Sequence, residues 1–140
     1  MIANRSMPPG AFIPELGYAD VPAAAAWLCR AFGFSERLRI ADHRIQLTFD
    51  GGSMVVVEGP QHPDAAHATT HAVMVHVADV DAHHARAKRE GARIVREPAS
   101  HPFGERQYTA LDPGGHRWTF SQSIADVDPA DWGGVLVGRS

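Results

Sequence analysis

The chain has 140 residues, 44% hydrophobic and 21% charged, with a formal net charge of −3. That length suits one ordinary domain or two half-domains sharing a core, and the balance excludes a disordered or fibrous chain. The slightly acidic charge argues against a nucleic-acid partner, and no apolar run reaches the roughly 18 residues that span a bilayer. Residues 1–10 lack the apolar core of a secretory signal. Cys29 is the single cysteine, so no internal disulfide forms, and the expected compartment is the cytoplasm.

Residues 1–11 read as a tail. The run 12–19 (FIPELGYA) predicts a strand, with Pro14 marking an edge. Asp20 is a good N-cap and Pro22 fits a first helical turn, so a helix follows through the alanines, Trp27, Cys29 and Phe32 until Gly33. Strands are expected over 36–41 and 43–49, because Ile45, Leu47 and Phe49 alternate with polar residues. Asp50-Gly51-Gly52-Ser53 is a hairpin turn and 54–57 the return strand. Residues 59–69 read as a polar linker. The pattern then restarts. A strand is expected over 70–78, a helix capped by Asp79 over 80–90, and a strand over 93–97. A loop over 98–104, strands over 105–111 and 116–122, and a turn at 112–115 complete it. Residues 123–140 read as a tail anchored by Trp132, packing on the domain or on a partner subunit.

The repeat is the most informative feature. Tyr18-Ala19-Asp20-Val21 matches Val77-Ala78-Asp79-Val80, and Phe49-Asp50-Gly51-Gly52 matches Leu111-Asp112-Pro113-Gly114-Gly115. Each half is βαβββ, the first over 12–58 and the second over 70–122. A four-stranded sheet with a helix on only one face needs a partner, and a second copy supplies it. The expected fold is therefore α+β: two βαβββ modules with facing curved mixed sheets, helices outside, and a cleft between them.

This repeat, with His101-Pro102-Phe103-Gly104-Glu105-Arg106 and Asp112-Pro113-Gly114-Gly115-His116-Arg117-Trp118, resembles the vicinal oxygen chelate superfamily. That group contains glyoxalase I, extradiol dioxygenases, fosfomycin-resistance enzymes and bleomycin-resistance binding proteins. The resemblance runs from about Ile13 to Gln122 and speaks for fold more than for function. It implies metal ligands seven residues before each helix-capping Asp and seven after each hairpin Asp. Those positions hold Ile13, Ala72, Val57 and Thr119, none of them a ligand for zinc or a similar ion. Glu58 and His71 each stand one residue out, which turns a strand side chain to the other face. His83 and His84 diverge by about 100° on a helix and cannot share one ion. His62, His67 and His101 fall in loops, His43 reads as surface, and His116 as a turn residue. The expectation is a site with no cofactor and no catalytic divalent metal.

Strand parity supplies cleft candidates instead. If Ala72 points inward, so do Met74 and His76, while Val73, Val75 and Val77 pack under the helix. The same rule turns Glu15 inward on the first strand, and Arg117 and Thr119 on the last, with Trp118 and Phe120 under the helices. Tyr108 or Gln107 adds to this set. Glu15, Met74, His76, Tyr108, Arg117 and Thr119 are thus the ligand-binding candidates, and His76 and Glu15 the catalytic ones. Glu15 and Arg117 have a plainer reading as mutual neutralisers, and Cys29, Trp27 and Phe32 as core. Two functions follow. One is a small-molecule binder of the bleomycin-resistance kind. The other is an enzyme of the glyoxalase, lyase, isomerase or dioxygenase kind, acting on a small oxygenated substrate with His76 or Glu15 as base. Trp132, Val135, Leu136 and Val137 point to a homodimer.

Overall fold

The computed structural model describes residues 2–59, 71–136 and 138. Module one runs β1 (Glu15–Tyr18), α1 (Val21–Phe32), β2 (Ser35–Ile40), β3 (Arg44–Phe49) and β4 (Gly52–Glu58). Module two runs β5 (Val73–His76), α2 (Val80–Arg89), β6 (Arg93–Ser100), β7 (Glu105–Leu111) and β8 (Arg117–Ser123). The sheets have four strands each, ordered β1-β4-β3-β2 and β5-β8-β7-β6. β1 runs parallel to β4, β5 runs parallel to β8, and the other pairings are antiparallel. The expected two-module α+β fold is present.

Both helices begin as their caps require. Asp20 accepts from Ala23 N and Asp79 from Ala82 N, each at 3.1 Å, and each cap contributes about 1 kcal/mol. Gly33 ends α1 with φ +82°, a left-handed conformation that glycine adopts without a Cβ penalty. α1 buries Val21, Ala24, Ala25, Leu28, Ala31 and Phe32, while the polar α2 buries only Val80 and Ala87. The helices pack on one another, and side chains bridge them. Trp27 Nε1 donates to Glu90 O at 2.7 Å, and Arg86 Nε donates to Arg30 O at 2.7 Å. The second bond satisfies a carbonyl of the last helical turn, where a cation is favoured. One core results. Phe32 of α1 packs its ring on Trp118 and Phe120 of β8, with centroids 5.5 and 4.7 Å away.

Several boundaries differ from expectation. β1 begins at Glu15 and β5 at Val73, so the expected strands 12–19 and 70–78 are shorter. β6 continues to Ser100, through the expected loop start at Pro98. Register shifts between Ile94 and Arg96 and between Arg96 and Ala99 explain it. β6 is an edge strand, and a bulged edge tolerates a proline that lacks an N–H. The N-terminal tail is tied down: Ser53 Oγ donates to Pro9 O at 2.6 Å and Gln46 Nε2 to Ser6 O at 2.9 Å. The C-terminal tail forms a 3-10 turn over Pro129–Trp132, and Trp132 packs on Phe103. Apart from Gly59, the expected linker lies outside the described residues, with His62 and His67; so does Val137.

Candidate functional site

The modules meet at two related places. At the first, β1 approaches the turn between β7 and β8. Asp112 is buried there and accepts from four donors. Tyr18 Oη lies at 2.5 Å, Trp118 Nε1 at 2.9 Å, Gly114 N at 2.9 Å and His116 N at 3.0 Å. His116 Nε2 donates to Gly17 O at 2.7 Å, because a carbonyl can only accept. Burial, then the Asp112 carboxylate, push the Tyr18 phenol far above its ordinary range, so it stays a neutral donor. Gly114 has no Cβ for a steric reason: one there would stand 2.5 Å from the Tyr18 ring.

At the second place β5 approaches the turn between β3 and β4, and the contact is open. A cavity of about 480 Å³ lies between the modules. Its described walls include Phe12, Pro14, Phe49, Ala72, Met74, Val75 and Trp118, with Thr48, Asp50, Ser53 and His76 as polar members. A second, more open space of about 670 Å³ is lined by Phe49, Asp50, His76, Val77, Ala78, Gln122 and Ser123. Phe49, Asp50 and His76 line both. Such volumes, with apolar walls and a few polar groups, match small-molecule sites.

His76 sits in a polar cluster. Its Nε2 lies 3.2 Å from Glu105 Oε1 and 3.1 Å from Ser123 Oγ. Ser121 Oγ donates to Glu105 Oε1 at 2.7 Å, and Gln107 Nε2 to Ser121 Oγ at 3.0 Å. Burial raises the Glu105 pKa, but hydrogen bonds from Ser123, Ser121 and His76 outweigh it and hold the carboxyl below its ordinary value. An ionised Glu105 accepts a hydrogen bond from Nε2–H, so in the neutral imidazole the lone pair of His76 lies on Nδ1.

The parity candidates separate. Met74 and His76 line the cavity. Glu15 is paired with Arg44 at 2.7 Å instead of Arg117, and it is absent from the described cavity lining. Thr119 Oγ1 lies 3.0 Å from Thr109 Oγ1, and Arg117 is half-buried on β8; neither is among the described lining residues. The placement of Tyr108 in the cleft is corrected: it is 1% exposed and packs in the core against Phe120 and His83. His83 Nε2 donates to Phe32 O at 3.0 Å, so Nδ1 accepts from Tyr108 Oη at 2.5 Å. Burial holds the His83 pKa below its ordinary value. Burial likewise pushes the Cys29 thiol up, the opposite of an activated nucleophile. Ser121 lies on the face of the last strand that parity turns inward, and the residues that parity missed are Glu105, Ser123 and Asp50. Glu105 lies in the quoted motif at 101–106, but nothing local in the sequence links it to His76.

Among the described residues, no three His, Cys, Asp or Glu side chains converge to hold a metal ion. The register where a ligand set is implied carries Ile13, Val57, Ala72 and Thr119. The side chains at these four positions do not fit a resident divalent metal. No described helix is long and apolar enough to cross a membrane.

A family model for the Glyoxalase/Bleomycin resistance protein/Dioxygenase superfamily matches residues 14–120. No curated protein matches significantly. The chain is similar to TioX from Micromonospora sp. ML1, at 33% identity over 85% of this chain and 100% of that one, with a TM-score of 0.67. It also shares its fold with a glyoxalase-related enzyme from Fulvimarina pelagi, at 20% identity, TM-score 0.65, over 81% of this chain and 87% of that one. A mutant of the fosfomycin resistance protein FosX from Listeria monocytogenes, complexed with Mn(II) and 1S,2S-dihydroxypropylphosphonic acid, has 18% identity and a TM-score of 0.66. That match covers 86% of this chain and 90% of the other.

Proposed function

The chain belongs to the Glyoxalase/Bleomycin resistance protein/Dioxygenase superfamily, and from that premise we propose that it binds a small organic molecule between its two modules without a resident divalent metal. The observation that carries this reading is the cavity of about 480 Å³, walled by aromatic and aliphatic side chains with His76 at its polar side. Apolar burial supplies the affinity and a few polar groups fix orientation. The proposed site is built without Glu15, whose carboxylate Arg44 engages.

A second reading, an enzyme acting on a small oxygenated substrate, is favoured by the His76–Glu105 contact. A carboxylate on one ring nitrogen orients the imidazole and leaves the other nitrogen as base. Both readings meet one screen: thermal shift of the protein against a small-molecule library, beside an Ala72→Trp variant that fills the cavity. Binding at one hundred times Kd stabilises by about 2.7 kcal/mol, an easily seen shift. A hit that shifts the parent and not the variant supports the site. Equal shifts in both, or none in either, refute it. Mass spectrometry of the hits after incubation separates the readings, since conversion that disappears in His76→Ala identifies the enzyme.

The protein is also proposed to form a homodimer. Trp132, Val135 and Leu136 are 49%, 85% and 74% exposed, a cluster that covering would stabilise. Light scattering at the mass of one chain refutes this.

A further inference from the structure

The two hairpin aspartates occupy equivalent turns of the repeat, yet their surroundings differ. Asp112 is saturated, and the donor that reaches it across the modules is Tyr18 Oη. In the repeat, Asp50 stands where Asp112 does and Val77 where Tyr18 does. Val77 and Asp50 line the same open space, and Val77 carries neither the length nor the hydroxyl to close it. Asp50 makes no hydrogen bond or ion pair among the described residues. It is also the one formally charged side chain among the described residues lining either space, and no lysine or arginine lines them. Glu105, 3.2 Å from His76, adds a second negative charge just behind the wall. The cavity that Asp50 lines also includes Phe12, Phe49 and Trp118 among its apolar walls.

We infer that the site takes a flat aromatic ligand bearing a protonated amine, whose N–H group bonds Asp50 in the place that Tyr18 fills at Asp112. This rests on the reading of the cavity as a small-molecule site and adds the ligand's charge and polarity. A cation gains from the carboxylate and from the ring faces together. An anion placed there meets like charge and no lysine or arginine among the described lining residues, so carboxylates and phosphonates bind less tightly than the cation.

The experiment compares three probes of one shape: 2-naphthylmethylamine, 2-naphthalenemethanol and 2-naphthoate, each titrated calorimetrically into the intact protein. The amine is expected to bind at least tenfold more tightly than the carboxylate, with the alcohol between them. In Asp50→Asn the amine's advantage is expected to shrink to about threefold or less. Asparagine tolerates the left-handed conformation of this residue, φ +48°, so the turn survives. In Val77→Tyr, which rebuilds the Tyr18 arrangement on the open side, amine binding is expected to fall at least tenfold. Equal affinity for amine and carboxylate, or an unchanged amine preference in Asp50→Asn, overturns the inference and leaves the cavity reading standing. Silence from all three probes at millimolar concentration also overturns it. The cavity reading itself stands or falls on the library screen with Ala72→Trp.

Discussion

The turn at Asp112 and the turn at Asp50 show what one motif becomes when its neighbours change. Each follows the third strand of its module, β3 or β7, and each places an aspartate toward the opposite module. At Asp112 a tyrosine, an indole and two backbone N–H groups converge, and the carboxylate is buried. At Asp50 no donor arrives among the described residues, and the carboxylate stays at the rim of an open space. One copy holds the modules together; the other leaves room between them. Burying an unpaired carboxylate costs several kcal/mol, so an aspartate lacking donors stays exposed or waits for a ligand.

Breaking the closed turn has the largest expected effect. Asp112→Ala leaves four donors without their acceptor, and urea denaturation should show a loss of about 3–5 kcal/mol. A loss under about 1 kcal/mol would mean that the network is not a latch. Tyr18→Phe removes only the bond that Asp112 accepts across the modules and should cost about 1–2 kcal/mol, with Trp118 and the backbone still holding Asp112. Asp50→Asn, the matching change in the open turn, should alter stability by less than about 0.5 kcal/mol. If it matches the cost at Asp112, the contrast fails.

Between these extremes lies a pH effect at the helix seam. Burial lowers the His83 pKa in the folded chain, so the unfolded chain binds the proton more readily. His83 therefore contributes stability that is present above the ordinary histidine range, near pH 6.5. It is lost as the pH falls through that value toward the lower folded pKa. The slope from this one group is at most about 1.4 kcal/mol per pH unit. Denaturation midpoints measured from pH 7.5 to 5 should fall more steeply for the parent than for His83→Gln. Parallel curves would remove His83 as the cause.

Much of the fold is legible in the sequence. The capping aspartates 20 and 79, Gly33 and the alternation from Ile45 to Phe49 are local signals, and local signals survive folding when a cap or a turn enforces them. Parity also placed Phe120 under the helices and Met74 and His76 on the other side, whereas Trp118 does both: it packs on Phe32 and lines the cavity with Met74 and His76. The bulged edge strand β6 was not legible, because a register shift depends on the partner strand β7. Tyr108 illustrates the same gap. Its strand was expected, but its facing was set by β7's register and by His83 on α2.

The sequence by itself determined the two βαβββ modules and the absence of a ligand set at positions 13, 57, 72 and 119, because both follow from residue type at fixed spacing. Only the tertiary structure decided which polar groups share a site. Glu15 went to Arg44, Glu105 to His76, and Asp50 was left facing open space. Those pairings join residues 29 positions apart in the chain, as Glu15 and Arg44, and His76 and Glu105, both are. A side chain's partner across strands is set by register and by the docking of modules, which no window along the chain contains.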